Sequence, residues 1–163
     1  MPAASISVQR FSLTSPKSFE SILQSLDAAV GHPDMRVFMR GVATAKDGTA
    51  VEALVRQSVG PSGLMEFMRF NMHDFLRKLG TASPRIVRLL IGNPLIMKQM
   101  VVHVPDAASY APVTVLIEER NDGVRLSYDR MASFLAPYGS AEALQVAQNL
   151  DAKIEALLAV AAG

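Results

Sequence analysis

Residues 86–94 read Ile-Val-Arg-Leu-Leu-Ile-Gly-Asn-Pro, and this stretch decides the fold class. Its first six residues form a short, nearly continuous apolar run, which is typical of a central strand covered on both faces. Gly92 ends the run, Asn93 is a good helix cap, and Pro94 suits the first position of a helix. The stretch therefore predicts a strand that passes directly into a helix at residues 95–102.

Four further segments have the composition and spacing of strands. Residues 113–118 and 124–128 flank the tight-turn sequence Asn-Asp-Gly at 121–123, which predicts a hairpin. Residues 5–13 and 64–70 read as two more strands. Together with the first strand they predict a sheet of about five strands.

Apolar residues with helical spacing follow the first strand, recur twice within residues 33–59, and return after Ser140. Because strands alternate with helices and then close with a hairpin, we expect a mixed sheet. The predicted fold class is α/β (α+β), with a single mixed sheet of about five strands, helices packed against it and a long C-terminal helix, in one domain over residues 1–163. The long helix has a stripe that could cover the sheet or pair with another subunit: Leu144, Ala147, Leu150, Ile154, Leu157 and Ala161.

The composition argues against several classes of protein. The chain has 163 residues, which suits one domain, and it has no cysteine, which excludes a disulfide framework, a thiolate metal site and a cysteine nucleophile. The lack of cysteine fits a reducing compartment, so we expect a cytoplasmic protein. Its 16 basic and 15 acidic residues are interspersed, so we expect no nucleic-acid partner. We also expect neither a signal peptide nor a membrane span.

Three short sequences, taken in order, resemble a known family. They are Gly-Asn-Pro at 92–94, His-Val-Pro-Asp-Ala at 103–107 and Leu-Ser-Tyr-Asp at 126–129. They resemble the bacterial and archaeal domain-of-unknown-function family 302, in which a strand ends in Gly-Asn-Pro and a hairpin ends in a Ser-Tyr pair. The resemblance runs from about residue 64 to 158, and it implies a compact α/β fold that is often dimeric, with no established activity. Residues 33–59 depart from it as a helical insertion.

The junction at Gly92 and Asn93 is a candidate anion site. A helix N-terminus presents unpaired N–H groups and a partial positive charge, and crevices at strand ends often bind ligands. Lys98, one turn further on, could reach a phosphate or carboxylate. The sequence therefore predicts a small anionic ligand here, unless Asn93 only caps the helix and Lys98 is only solvated.

Glu66 and Arg69 are charged residues within a strand that is otherwise largely apolar. Because they lie three positions apart, we expect them on opposite faces and not paired along the strand, which leaves Arg88 as a possible partner of Glu66. A carboxylate in such surroundings could anchor a ligand or act as an acid or base. The alternative is a structural ion pair or an exposed sheet edge.

His103 is the most informative of the three histidines because it follows the helix and lies near Asp106. With Met97 or Met100 it could ligate a transition metal or haem iron. Otherwise it is a polar residue that interacts well with a helix C-terminus. The sequence has no pair of histidines with metal-binding spacing, so we expect no local metal site, and the cofactor stays unidentified.

The leading hypothesis is a homodimeric small-ligand-binding or accessory protein. Its pocket would lie between the Gly-Asn-Pro turn, the Glu66 strand and the loop at 103–110. The alternatives are an acid/base enzyme that uses Glu66 or His103, and a redox or haem-associated protein with His103 and methionine ligands. The candidate ligand-binding residues are Glu66, Arg69, Gly92, Asn93, Met97, Lys98, His103, Asp106, Tyr110 and Tyr128.

Overall fold

The computed structural model describes residues 5–163. Neighbouring strands of its one sheet pair antiparallel, in the order β1-β5-β4-β3-β2. The strands are β1 (Arg10–Ser15), β2 (Met65–Asn71), β3 (Ile86–Gly92), β4 (Val113–Arg120) and β5 (Gly123–Asp129).

Helices connect and cover these strands. Two short 3-10 segments at Pro105–Ser109 and Ala136–Tyr138 complete the secondary structure of the described residues. The helices are α1 (Phe19–Ala29), α2 (Met35–Thr44), α3 (Gly48–Ser58), α4 (Met72–Lys78), α5 (Pro94–Val101), α6 (Met131–Leu135) and α7 (Ala141–Ala162).

The predicted fold class, one sheet of five strands with helices packed against it and a long C-terminal helix, is confirmed. The strand directions differ from the expected mixed sheet. β1 and β2 run in the same direction, but they lie at opposite edges of the sheet and therefore do not pair. The parallel pairing in the described chain is limited to an isolated bridge between Gly31 and Met65.

The core lies between the sheet and the layer of α1, α5 and α7. The strands contribute alternate residues to it, such as Val87, Leu89 and Ile91 of β3, because successive side chains of a strand point to opposite faces. The apolar stripe of α7 covers this face, since every residue of that stripe except the half-buried Leu144 is buried within the single chain. The stripe is therefore not available to another subunit.

The opposite side of the sheet, which we call the open face, carries the other half of the strand residues. β3 was expected to be covered on both faces, but Arg88 is exposed and Leu90 is half-buried there. One-sided covering is usual for antiparallel sheets. The open face also includes Met68, Phe70, Thr114, Leu116, Arg125 and Asp129.

The two helices expected within residues 33–59 are α2 and α3. Asp34 and Asp47 cap them by accepting hydrogen bonds from backbone amides of their first turns. They form a second, smaller core in which Phe38 and Val55 pack on Met65 of β2. That these helices are an insertion stays a prediction.

None of the helices between residues 5 and 163 is long and apolar enough to cross a membrane.

Candidate functional site

The Gly-Asn-Pro turn has the local structure that the sequence predicts. The Asn93 side chain accepts a hydrogen bond from the Leu95 amide at 2.8 Å and donates one to the Gly63 carbonyl at 2.9 Å. Asn93 therefore both caps α5 and ties the turn to the loop that precedes β2. Pro94 is the first helical residue. This use of both ends of the amide favours the capping role for Asn93.

The cavity beside this turn is small and apolar. It has a volume of about 70 Å³, and besides Gly92 and Asn93 its lining includes Phe67, Met97 and Leu150. This volume is well below the roughly 300 Å³ at which ligand pockets typically begin. Lys98 does not line it, and the Lys98 ammonium lies 4.0 Å from the carboxylate of Glu52 of α3.

A larger cavity, which we call the open-face cavity, lies on the other side of the loop at 109–112. It has a volume of about 360 Å³. Its floor is the open face at Arg88, Leu90 and Thr114, and its wall is formed by Tyr110 and Phe134. Polar and apolar groups therefore meet in one concave surface of the size typical of ligand pockets, which begin at about 300 Å³.

Arg88 supplies the positive charge of this cavity. Its guanidinium is exposed and donates one long hydrogen bond of 3.3 Å to the Thr114 hydroxyl. Among residues 5–163 no carboxylate forms a salt bridge with it. Asp129 also lines the cavity, but Arg10 holds its carboxylate with bonds of 2.7 and 2.8 Å, and this pairing lowers the pKa of Asp129.

Tyr110 belongs to an aromatic cluster at the mouth of the cavity. Its ring stacks on Phe134 with ring centres 4.8 Å apart. Its hydroxyl lies 2.9 Å from that of Tyr138, and this hydrogen bond is the main reason why the pKa of Tyr138 is raised to about 12. Tyr110 is thus held in place by its partners, with one side turned to the cavity.

Tyr128 lies in the core and not at a ligand site. Its hydroxyl donates to Asp151 of α7 at 2.6 Å, and the same carboxylate accepts the amides of Met131 and Ala132 at 2.7 and 3.1 Å. Burial raises the pKa of both Tyr128 and Asp151. The pair connects β5, the start of α6 and α7, so its role is structural.

His103 and Asp106 are both exposed, on the chain that leaves α5. The pKa of the Glu142 carboxyl is lowered first by a backbone amide, then by Ser140, and also by the nearby His103. Met100 is buried in the core, and both Met97 and Met100 line the small apolar cavity. The structure therefore places His103 and Met100 in different surroundings.

The expectation that Glu66 and Arg69 point to opposite faces is wrong. The register of β2 against β3 shifts between Glu66 and Met68, so a β-bulge adds one residue at Phe67. Glu66 and Arg69 then share the helix-covered face, and Arg69 binds Glu66 with bonds of 2.7 and 3.1 Å. Arg88 is on the open face and is not the partner of Glu66.

Asp27 and His32 complete this group, which we call the Arg69 cluster: Asp27, His32, Glu66 and Arg69. Arg69 also hydrogen-bonds the Asp27 carboxylate, and the carboxylates hold the pKa of Arg69 above its ordinary value against the opposing effect of burial. Sequence reasoning missed Asp27 and His32 because they come from α1 and the following turn. A polar Asp on an otherwise apolar helix end was the available signal.

Six of the ten candidate residues fall in three separate places, and Lys98, His103, Asp106 and Tyr128 lie outside all three. Gly92, Asn93 and Met97 line the small cavity, Tyr110 lines the open-face cavity, and Glu66 and Arg69 belong to the Arg69 cluster. The pocket expected between the Gly-Asn-Pro turn and the Glu66 strand is lined by Phe67 on that strand and not by Glu66.

These features define an α/β protein with a five-stranded antiparallel sheet, helices on one face and a ligand-sized cavity on the other. The chain belongs to the family described as domain of unknown function DUF302, whose model matches residues 40–160. The crystal structure of an uncharacterized conserved DUF302 protein from Bacillus stearothermophilus is similar, with a TM-score of 0.67 at 11% identity over 93% of this chain and 97% of that one. That likeness shows the fold alone. A search of curated proteins gave no match.

Proposed function

We propose that this protein binds a small molecule, one with an anionic group beside a flat apolar part, in the open-face cavity. The observation that carries this proposal is the exposed guanidinium of Arg88, which lies without a carboxylate partner among the described residues in a cavity walled by Tyr110 and Phe134. A cytoplasmic location is part of the proposal and rests on the absence of cysteine from the sequence.

The chemistry of the lining suggests the ligand class. A guanidinium binds carboxylate or phosphate through two parallel hydrogen bonds, and the hydroxyl of Thr114 beside it can donate a third. The stacked rings of Tyr110 and Phe134 offer an apolar surface next to this charge. A ligand that meets both groups combines a compact anion with an aromatic or planar part.

Binding has more support than acid/base catalysis. Glu66, the carboxylate expected to act as acid or base, is held by Arg69 and does not line either cavity described above. His103 is exposed and lines neither cavity.

Arg88→Met should weaken the binding of phenyl phosphate and benzoate about tenfold or more, because a hydrogen bond to a charged group contributes roughly 1.5–3 kcal/mol. Isothermal titration calorimetry of the two probes against the unaltered chain and the variant measures the loss. Methionine keeps an unbranched stem of similar shape and removes the charged guanidinium.

Arg125→Met is the matched control. Arg125 is on the same open face, donates to Ser12 and does not line the open-face cavity, so its loss should leave affinity unchanged. If both variants lowered affinity equally, the loss would be due to the change in net charge and not to a contact made by Arg88. Unchanged affinity in Arg88→Met would exclude Arg88 as the anion anchor.

We also propose that the protein is a homodimer, and that a second copy of this chain covers an apolar patch beside β2. Met68 and Phe70 of β2 are exposed, and Phe75 and Leu79, within and just after α4, are 66% and 68% exposed. Phe70 and Phe75 line one surface depression together, so the apolar side chains of β2 and α4 adjoin there. Contiguous exposed apolar groups of this kind mark interaction surfaces.

The position of the patch favours a second copy as its occupant. β2 is an edge strand, and beyond Glu66 its outer side has no strand partner in the described chain. A two-fold axis brings the same strand and the same patch of two chains together, so the unpaired edge and the apolar side chains are covered at once.

Phe75→Glu should weaken the dimer by about 30-fold or more, because a charge replaces an apolar anchor of the contact. Analytical ultracentrifugation over a range of concentrations measures the dissociation constant. Val160→Glu is the control, since Val160 of α7 is equally apolar and 72% exposed but lies outside the patch. If the unaltered chain sediments as a monomer at every concentration, the dimer proposal is refuted.

A further inference from the structure

The Arg69 cluster contains a mixed set of metal-ligating atoms drawn from three parts of the fold. Asp27 comes from α1, His32 from the turn after it, and Glu66 from the start of β2. One ligand atom from each of these three residues lies within 4.8 Å of the other two. Sequence spacing cannot reveal such a group, because 34 positions separate His32 from Glu66.

The histidine faces both carboxylates without a hydrogen bond to either. Its Nε2 lies 3.8 Å from Oδ1 of Asp27, and its Nδ1 lies 3.7 Å from Oε2 of Glu66. Among residues 5–163 its one side-chain hydrogen-bond partner is the backbone carbonyl of Asp27 at 3.1 Å. Because 42% of the His32 side chain is exposed, an ion can reach these atoms from solvent.

The charge of the cluster favours a further cation. Two carboxylates and one guanidinium leave one net negative charge when His32 is neutral. Both carboxylates are near the one imidazole, whose nitrogen is a ligand that zinc and related transition metals prefer. A set of one nitrogen and two carboxylate oxygens supplies three of the four ligands that zinc usually takes and leaves the fourth position for water.

Arg69 contacts the same carboxylates, but it can share them with an ion. Its Nη2 contacts Oδ1 of Asp27 and Oε2 of Glu66, the two oxygens that face His32. Its other bonds go to Oε1 of Glu66 at 3.1 Å and Oδ2 of Asp27 at 3.4 Å. Because the guanidinium is planar and rigid, it must move as a unit for an ion to take the two oxygens that face His32, and its bonds to the other oxygen of each carboxylate are the ones that can remain.

We propose that Asp27, His32 and Glu66 form a binding site for a divalent transition-metal ion of the zinc type, in which Arg69 orients the two carboxylates. Each carboxylate bridges the ion and the guanidinium, as outer hydrogen-bond partners do in metal sites generally. The site is independent of the open-face cavity, whose lining contains none of these residues.

The test is calorimetric titration of the full chain with zinc chloride after treatment with a chelator. We expect saturable binding of one ion per chain, weakened at least about tenfold in His32→Ala and in Glu66→Gln. Cobalt(II) in place of zinc should give a visible absorption band that both substitutions reduce. Circular dichroism checks that His32→Ala is folded. We expect it to be folded because the His32 side chain is partly exposed.

His103→Ala is the matched control, because His103 is another exposed histidine outside the cluster and its loss should leave zinc affinity unchanged. Three results would overturn the proposal. They are the absence of saturable zinc binding, an equal loss of zinc affinity in His103→Ala and His32→Ala, and zinc binding that is seen in Arg69→Met but not in the unaltered chain. The last result would show that Arg69 is itself the cation that the carboxylates hold.

Discussion

Asp151→Ala should lower the free energy of unfolding by about 4 kcal/mol, because it leaves several buried donors without the acceptor they share and each unsatisfied donor costs roughly 1–3 kcal/mol. Asp151 is 6% exposed, and its carboxylate accepts hydrogen bonds from the Tyr128 hydroxyl and from the amides of Met131 and Ala132. These amides belong to the first turn of α6, where no preceding helical turn can satisfy them. Urea unfolding followed by circular dichroism measures the loss.

Two further variants separate the hydrogen bonds from other effects. Asp151→Asn keeps one acceptor oxygen but places an amide N–H₂ where donors converge, so we expect an intermediate loss of about 2 kcal/mol. Asn149→Ala changes an exposed residue on the same helix, and stability should change by less than about 0.5 kcal/mol. If Asp151→Ala were as stable as Asn149→Ala, the carboxylate would not connect the three elements.

Gly31→Ala should destabilise the protein by about 3 kcal/mol, because a methyl group has no space at this position. A Cβ on Gly31 overlaps the carbonyl oxygen of Ser58 and lies 2.8 Å from the amide nitrogen of Gly60. Both glycine amides donate to the Leu64 carbonyl at 2.9 Å, so backbone packs on backbone. The overlap involves main-chain atoms, so a rotamer change cannot relieve it.

The control for this variant is Gly48→Ala at the first residue of α3. Apart from the adjacent residues and the helix's own backbone, nothing lies within 4 Å of the Cβ that alanine adds there, so stability should be unchanged or rise by roughly 0.5 kcal/mol. Urea unfolding of the two variants measures the difference. Equal stability of Gly31→Ala and the unaltered chain would show that the backbone at Gly31 can move away from Ser58 and Gly60 at little cost.

Gly31 also links stability to the proposed metal site. Its carbonyl accepts the Glu66 amide at 2.8 Å, and this bond places His32 beside the Glu66 side chain. A backbone shift at Gly31 should therefore separate the histidine from the carboxylate. Zinc titration of Gly31→Ala should show weaker binding than the unaltered chain even where the variant is folded.

The sequence predicted those elements that depend on residues close together in the chain. The apolar run at 86–91 is β3, Asn93 and Pro94 begin α5, and the turn at 121–123 joins β4 to β5. Capping, turn formation and apolar periodicity are decided within a few residues, so the order of the elements and the fold class could be predicted from them.

The candidate site was only partly predictable, because it depends on residues that are far apart in the chain. A rule of alternating strand faces separated Glu66 from Arg69, whereas one extra residue at Phe67 places both on the helix-covered face. Arg88 was expected near Glu66, and the pairing of β3 with β4 instead places it beside Thr114 on the open face.

The sequence by itself determined the five strands, the long helix that covers them and the capped turn after β3, because each follows from local backbone and side-chain preferences. Only the tertiary structure decided that Asp27, His32, Glu66 and Arg69 meet, and that Arg88 faces a cavity next to Tyr110 and Phe134. Those associations depend on strand register, on a bulge and on which face the helices cover. Register and packing are settled between residues far apart in the chain, where local preferences have no influence.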